Sequence, residues 1–354
     1  MNAQFTQHNL IFKQASGTSR GVLTTKETYL LEISKNGQKG IGECAIFRGL
    51  SYDDVPDYEE KLTWLCKNIN LDFEVLKKEL LHYPSIIFGL EQALLNLEHG
   101  EDLYFPSDFT DGKDSIKING LIWMGNANFM QSQIEEKLAK GFDCIKLKIG
   151  VDWKSEKEII KKLREKFPKE QLELRVDANG AFSYEEARMV LQELADLGIH
   201  SIEQPIKKSQ VKSKKSQETD EINSTDYCVP WNEMAKLCAE TPTPIALDEE
   251  LIGIIDFEEK KKLLETIKPQ YIILKPALVG GFSGSDEWIA IAESLGINWW
   301  ITSALESNIG LNAICQYTYT KKNPLPQGLG TGALFTNNFE THLQLEGDQM
   351  WHKK

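Results

Sequence analysis

The sequence predicts an α/β fold: a modified (β/α)8-type barrel of the (β/α)7β kind, with an N-terminal α+β capping domain. After Phe105-Pro106, short apolar strands alternate with longer amphipathic helical segments. Polar residues at the ends of these strands recur every 26 to 29 residues, apart from one interval of 45. Eight such units, with no Gly-x-Gly-x-x-Gly turn after the first strand, favour a closed barrel over a doubly wound sheet.

The residues before the barrel predict a different kind of unit. Strand-like runs at 27–33 and 40–43 precede helical stretches at 58–68 and 87–97, a pattern typical of an α+β domain. We therefore divide the chain into a capping domain (1–106), a barrel (107–332) and a C-terminal segment (333–354) that packs back on the capping domain.

Each predicted barrel strand is a short, mainly apolar run. The eight strands are 116–122, 144–149, 172–177, 201–203, 245–248, 271–275, 299–303 and a weak last one at 327–329. The long interval contains residues 207–226, which are rich in Lys, Ser, Thr, Glu and Asp. Because such a segment has almost nothing to bury, we expect a flexible surface loop after the fourth strand.

Composition excludes several classes of partner. The net charge of −13 argues against nucleic-acid binding, which needs a basic surface. No stretch approaches the ~20 apolar residues of a membrane span, and residues 1–10 lack the features of an export signal. The six cysteines have no paired spacing. These features predict a cytoplasmic protein with reduced thiols.

Two lysines lie on one face of the second strand. Lys146 and Lys148 alternate with Ile145, Leu147 and Ile149, so the lysines face the barrel interior if the apolar residues pack against helices. An isolated Lys-x-Lys more often belongs to an exposed edge strand. The interior placement is favoured because the next three strands each end in a carboxylate.

Those carboxylates are Asp177, Glu203 and Asp248. Each alone could cap a helix or lie in a loop. Together at one barrel mouth they would repel one another unless a cation neutralised them. An all-oxygen set without His or Cys favours Mg²⁺, with Mn²⁺ as a substitute.

A third lysine, Lys275, ends the sixth strand, across the barrel from Lys146 and Lys148. A lysine acting as a base must be neutral, which burial and nearby cations favour. A base facing a metal suits abstraction of a proton α to a carboxylate. The predicted partner is therefore a small-molecule carboxylate.

In order and spacing, these motifs resemble the muconate-lactonizing-enzyme-like subgroup of the enolase superfamily, over the whole chain. The motifs are Lys146-Leu147-Lys148, Asp177 with Asn179, Glu203, Asp248 and Lys275. Residues 47–52, 118–124 and 303–307 further resemble the o-succinylbenzoate synthase family of menaquinone biosynthesis.

This resemblance implies a magnesium-dependent hydro-lyase that converts 2-succinyl-6-hydroxy-2,4-cyclohexadiene-1-carboxylate to 2-succinylbenzoate by syn dehydration. Lys148 would take the α proton and return it to the departing hydroxyl, while Lys275 would stabilise the enediolate and Lys146 would assist Lys148. Residues 47–52 would cover the substrate. The implied substrate-binding and supporting residues are Asn119, Asn179, Gly280, Gly281, Ser303, Glu306, Arg48 and Ser51.

Three alternatives stay open. Racemisation or epimerisation could use the same two opposed lysines, but dipeptide epimerases usually carry an Asp-x-Asp clamp at the last strand, and residues 328–335 contain no acid. N-succinylamino acid racemisation passes that test. A non-catalytic binding barrel predicts the loss of a catalytic group, and none is missing. The sequence does not decide whether copies of the chain form a homo-oligomer.

Overall fold

The computed structural model describes residues 1–18, 21–123, 125, 127–208 and 231–353. Most of the expected loop at 207–226, from residue 209 onward, lies outside the described residues. Met124 of the 118–124 motif also lies outside them.

An antiparallel sheet with the order β1-β2-β3 forms the N-terminal part, from β1 (Asn2–Thr18), β2 (Gly21–Lys35) and β3 (Gln38–Cys44). The sequence does not predict β1, because polar residues interrupt the apolar alternation of this edge strand. Three helices follow: α1 (Tyr58–Asn68), α2 (Phe73–Glu79) and α3 (Pro84–His99).

Two glycines of β3 bring its backbone into direct contact with α3. A Cβ on Gly42 would lie 2.0 Å from the carbonyl oxygen of Gly89, and one on Gly40 would lie 2.1 Å from that of Ala93. The Gly-x-Gly pattern of β3 therefore permits a sheet–helix approach that no larger residue allows.

We expect Gly42→Ala to destabilise the fold by about 3 kcal/mol, since neither backbone can move aside cheaply. Urea unfolding followed by far-UV circular dichroism would measure the change. Gly330→Ala is the matched control, because its added Cβ meets no neighbour closer than 3.4 Å. Equal stability of the two variants would contradict the close packing.

Seven parallel strands form the barrel, in the sheet order β11 to β5. Parallel bridges Ile118–Gln327 and Thr302–Gly328 join the two edges of this sheet through the eighth-strand position. The predicted barrel is confirmed. The strands are β5 (Gly120–Ile122), β6 (Cys144–Lys148), β7 (Glu173–Asp177), β8 (Ser201–Glu203), β9 (Ile245–Leu247), β10 (Tyr271–Leu274) and β11 (Asn298–Ile301).

Helices alternate with these strands and bury their apolar faces against the sheet. A capping box at Ser183 and Glu186 begins one of them, α6. The helices are α4 (Ala127–Ala139), α5 (Trp153–Lys166), α6 (Tyr184–Asp196), α7 (Asn232–Glu240), α8 (Phe257–Ile267), α9 (Pro276–Val279), α10 (Gly281–Ser294) and α11 (Asn308–Thr320).

The predicted strand 116–122 is two strands in the structure, β4 (Ser115–Lys117) and β5. β4 pairs with a C-terminal hairpin, β12 (Leu343–Glu346) and β13 (Gln349–His352), in a separate sheet of order β12-β13-β4. Between them the backbone changes partner: Ile118 N donates to Asp348 O (2.8 Å) and Asn119 N to Gln327 O (2.9 Å). The sequence predicts one strand here because strand propensity is continuous over residues 116–122 and does not indicate which sheet each half joins.

The C-terminal segment contacts both parts of the molecule. Lys13 N of β1 donates to Leu334 O (2.8 Å), and Thr336 N donates to Ile11 O (2.9 Å), before the chain continues into the hairpin on β4. The domain limits drawn from the sequence stay a prediction. Within the described ranges, every helix is too short or too polar to traverse a bilayer.

Candidate active site

A cleft lies at the carboxyl ends of the barrel strands. The barrel contributes polar groups to it, and the loop after β3 contributes the apolar side chains Phe47 and Leu50. The predicted residues that line the cleft are Asn119, Lys146, Lys148, Asp177, Asn179, Lys275 and Ser303. This is where a barrel of this kind carries its chemistry.

Five ion pairs join the three lysines to the three carboxylates, with one short pair for each lysine. Lys146 Nζ lies 2.6 Å from Glu203 Oε2, and Lys148 Nζ lies 3.0 Å from Asp177 Oδ2. Lys275 pairs with Asp248. Lys148, Asp177 and Glu203 are in register on neighbouring parallel strands, which brings them to the same level of the barrel. Lys275 follows β10, four strands from β6, and so approaches from the opposite side.

Burial and mutual proximity perturb the carboxyl groups. Burial, together with the Asp177 and Asp248 charges, raises the pKa of Glu203 to about 7. Burial also raises the pKa of Asp248, against the effect of Lys275. For Asp177, burial is outweighed by Lys148 and Lys146, which hold the pKa of its carboxyl below the usual range.

The pKa values of Lys275 and Lys146 are both raised, which favours the ammonium form. Burial lowers the pKa of Lys275, but Asp248 and Glu203 outweigh burial and raise it well above its ordinary value. Burial also lowers the pKa of Lys146, but the charges of Glu203 and Asp177 outweigh burial and raise this pKa above its ordinary value. Both side chains are therefore cations at neutral pH.

The donor chemistry fits a hard divalent cation. Glu203 Oε1 is buried and accepts no hydrogen bond from any described residue. Asp177, Glu203 and Asp248 are each 2% exposed and supply only oxygen donors. Their oxygens do not all come within 4.8 Å of one another, because each carboxylate turns toward a lysine. An ion shared by the three would replace the lysines as their partner.

Asn179 connects the base candidate to the rest of the site. Its Oδ1 accepts from Lys148 Nζ (2.6 Å), and its Nδ2 donates to Glu249 Oε1 (3.0 Å). Its backbone has φ of 43°, a conformation that Asn tolerates better than most residues. Asn179 therefore fixes the position of the Lys148 ammonium.

We expect Asn179→Ala to lower kcat by about 10-fold to 100-fold, because the Lys148 side chain would lose its alignment. KM should change little, and the pH dependence of kcat should change. Asn36→Ala is the matched control: Asn36 is exposed in the β2–β3 turn and also has a positive φ, of 53°. An equal loss of kcat in both variants would show that the Asn179 side chain has no specific role and that the loss comes from the strained backbone conformation.

Gln204 is a supporting residue for which sequence reasoning found no role. Its Oε1 accepts from the backbone nitrogens of Asp248 (3.3 Å) and Glu250 (3.2 Å), and its Nε2 donates to Glu250 Oε2 (3.1 Å). It thereby holds the Asp248 turn beside Glu203. A polar residue directly after a predicted ligand was the available signal.

Sequence reasoning also missed the apolar wall of the cleft. Leu121 and Trp123 line it together with Asn119. These three residues alternate along one face of the first barrel strand, so the period of two could have identified them. Thr331, whose hydroxyl lies 2.6 Å from Ser303 Oγ, is a further lining residue from the last turn of the barrel.

Four predicted substrate-binding residues support the walls of the cleft and do not line it. Gly280 and Gly281 have positive φ at the α9–α10 junction, and Gly281 packs against Glu91 of α3. Arg48 pairs with Glu27 and with Asp54 (2.8 Å). Ser51 Oγ accepts from Phe47 N (2.8 Å), which closes the loop that presents Phe47 and Leu50. Their contact with substrate stays a prediction.

Glu306 is fully buried below the cleft, and its Oε2 accepts from Ala304 N (2.7 Å). Burial raises the pKa of its carboxyl to about 7, against the charge of Lys26. From this position the Glu306 carboxylate supports the backbone of residues 303–305. Its contact with substrate stays a prediction.

Comparison with known proteins gives a consistent result. Residues 130–221 and 228–349 match the family model for the enolase C-terminal domain-like family. The chain is 42% identical to an o-succinylbenzoate synthase of Desulfotalea psychrophila, over 98% of both chains. It is 33% identical to an N-succinylamino acid racemase of Thermus thermophilus, over 83% of this chain and 75% of that one. The crystal structure of MenC from Desulfotalea psychrophila superimposes with a TM-score of 0.84 at 40% identity, over 99% of both chains.

Proposed function

The chain belongs to the enolase superfamily, and from that membership we propose that it is an enzyme acting as an o-succinylbenzoate synthase, a carbon–oxygen lyase. The substrate is 2-succinyl-6-hydroxy-2,4-cyclohexadiene-1-carboxylate, and the product is 2-succinylbenzoate of menaquinone biosynthesis. The observation that carries the proposal is that Lys148 and Lys275 both line the cleft, from opposite sides of the barrel, and that each pairs with one of the buried carboxylates, Asp177 and Asp248. The 42% identity to a synthase along nearly the whole chain supports it.

Asp177, Glu203 and Asp248 would hold Mg²⁺, with Mn²⁺ as a substitute. The bound ion supplies charge stabilisation for the carboxylate of the substrate as it becomes an enediolate. The buried Oε1 of Glu203, which accepts no hydrogen bond from the described residues, supports this assignment.

Lys148 performs the proton transfers. In its neutral form, its Nζ takes the proton from the carbon next to the substrate carboxylate, and the electron pair of that bond enters the enediolate. The same Nζ then gives the proton to the departing hydroxyl, which leaves as water from the same face. The new ring double bond makes the product aromatic, so this second step is strongly favourable.

Lys275 stays an ammonium throughout. Its raised pKa supports this role, since a cation opposite Lys148 stabilises the negative charge that develops on the substrate. Lys146, also a cation, lies beside Lys148 on β6, and both side chains contact Asp177 Oδ2. It would assist Lys148 as a neighbouring positive charge. Leu121, Trp123, Phe47 and Leu50 supply the apolar contacts for the ring and exclude water.

A second candidate function is N-succinylamino acid racemisation. The same two opposed lysines could exchange one proton, residues 328–335 carry no acid for a free substrate amine, and a relative of that name is 33% identical. Its substrate shares the succinyl group of the synthase substrate, so both could fit one cleft.

Two assays distinguish the candidates. With Mg²⁺ and the cyclohexadiene substrate, a synthase would show loss of the diene absorbance and formation of 2-succinylbenzoate. With an N-succinylamino acid in deuterated water, a racemase would incorporate deuterium at the α carbon. Exchange without dehydration would replace the proposed function by the second candidate, and activity in neither assay would remove both.

We propose a cytoplasmic location for this enzyme and a small-molecule carboxylate as its partner. The free thiols of the five described cysteines support a reducing compartment. Whether copies of the chain assemble is a separate question for light scattering.

A further inference from the structure

Two histidines and one aspartate converge outside the cleft. His342 Nδ1 lies 2.6 Å, and His352 Nε2 lies 3.1 Å, from the same oxygen, Oδ2 of Asp102. One ligand atom from each residue lies within 4.8 Å of those from the other two, and among the described residues this is the group of three with metal-ligand spacing. His342 and His352 are 240 and 250 residues from Asp102 along the chain.

The surrounding contacts hold this cluster in place. The backbone carbonyl of Asp102 accepts from Asn312 Nδ2 (2.9 Å) and Gln316 Nε2 (2.8 Å) of α11. His352 is fully buried at the end of β13, with its ring 5.8 Å from that of Phe109. The donor atoms are therefore oriented by the fold before any ligand arrives.

Two further features suit a metal ion better than an ion pair alone. Asp102 Oδ1 is buried and accepts no hydrogen bond from the described part of the chain. The His342 side chain is 43% exposed, which leaves solvent access for a water ligand.

The spacing about Asp102 is close to that of a metal site. Tetrahedral bonds of about 2.1 Å place ligand atoms about 3.4 Å apart. The present distances from Oδ2 are 2.6 and 3.1 Å, so both separations from Oδ2 would lengthen by less than an ångström. Imidazole and carboxylate donors together favour a transition-metal ion over Mg²⁺.

We propose that Asp102, His342 and His352 form a second metal site, which takes a first-row divalent transition-metal ion such as Zn²⁺ and a water molecule. None of these residues lines the cleft. The ion cross-links the C-terminal hairpin to the segment between α3 and β4, at the amino end of the first barrel strand. It acts as a structural clamp on the last residues of the fold.

The test counts zinc in a protein whose active-site cluster is disabled. Asp248→Asn weakens the carboxylate cluster, and equilibrium dialysis against micromolar ZnCl₂ with millimolar Mg²⁺ then reports the second site. We expect about one zinc per chain in Asp248→Asn. Adding His342→Ala or Asp102→Asn should remove it, whereas adding His82→Ala, at an exposed histidine elsewhere, should not.

Spectroscopy and stability give independent readouts. Co²⁺ in the Asp248→Asn background should show the intense visible bands of a tetrahedral site, and these bands should vanish with His342→Ala. Zinc should raise the melting temperature of Asp248→Asn by a few degrees, but not that of the double variant. Equal zinc content with and without His342 would overturn the proposal. So would a melting temperature of Asp248→Asn that is the same with and without zinc. Circular dichroism of His342→Ala separates loss of the site from misfolding.

Discussion

Lys148→Ala is expected to lower the turnover of the cyclohexadiene substrate by about 10⁴-fold, because it removes the group that takes and returns the proton. Asp177 keeps Lys146 as a cationic neighbour at 3.4 Å, so the fold should survive. Loss of the diene absorbance under saturating Mg²⁺ measures the rate. Mg²⁺ should still raise the melting temperature of the variant.

Lys140→Ala is the matched control for this substitution. Lys140 is an exposed lysine that pairs with Glu136 at 2.6 Å, after α4 and outside the cleft. Its removal should leave turnover unchanged. Substantial turnover by a folded, magnesium-binding Lys148→Ala variant would assign the proton transfer to another group, and Lys275 would be the next residue to replace.

Glu203→Gln is expected to abolish magnesium binding and to lower turnover by more than about 10³-fold, since one of three charged ligands becomes a neutral amide. The measurement is the rise in melting temperature on adding Mg²⁺, which wild type should show and the variant should not. Chelation of wild type should reproduce the activity loss, and added Mg²⁺ should reverse it. An unchanged magnesium response in the variant would exclude Glu203 as a ligand.

The same variant gives a pH test in metal-free protein. Folding raises the pKa of Glu203 from 4.5 to about 7, so the folded state holds a proton that the unfolded state releases. This contribution to stability is fully present below pH 4.5 and is lost as the pH rises through about 7. Wild type should therefore lose stability relative to Glu203→Gln across that interval, as measured by urea unfolding. A difference in unfolding free energy between the two proteins that does not change with pH would contradict the raised pKa of Glu203.

Sequence periodicity determined the barrel and the residues at its mouth. Side chains alternate along a strand and parallel strands end together, so Lys148, Asp177 and Glu203 could be assigned to one level before any coordinates. The sequence predicts the eighth strand only weakly. The structure explains this, because the eighth position closes the barrel through two isolated bridges, at Gln327 and Gly328.

Only the tertiary structure decided which partners each group takes. The division of strand 116–122 between two sheets, the support of Asp248 by Gln204 and the convergence of Asp102 with two histidines some 240 residues away all depend on contacts between distant segments. Local propensity and spacing describe a segment and its neighbours, but these contacts arise from the closure of the barrel and the return of the C-terminal hairpin. The sequence by itself therefore predicted the barrel and the chemistry proposed for its mouth, whereas packing decided the supporting contacts and the separate cluster at Asp102.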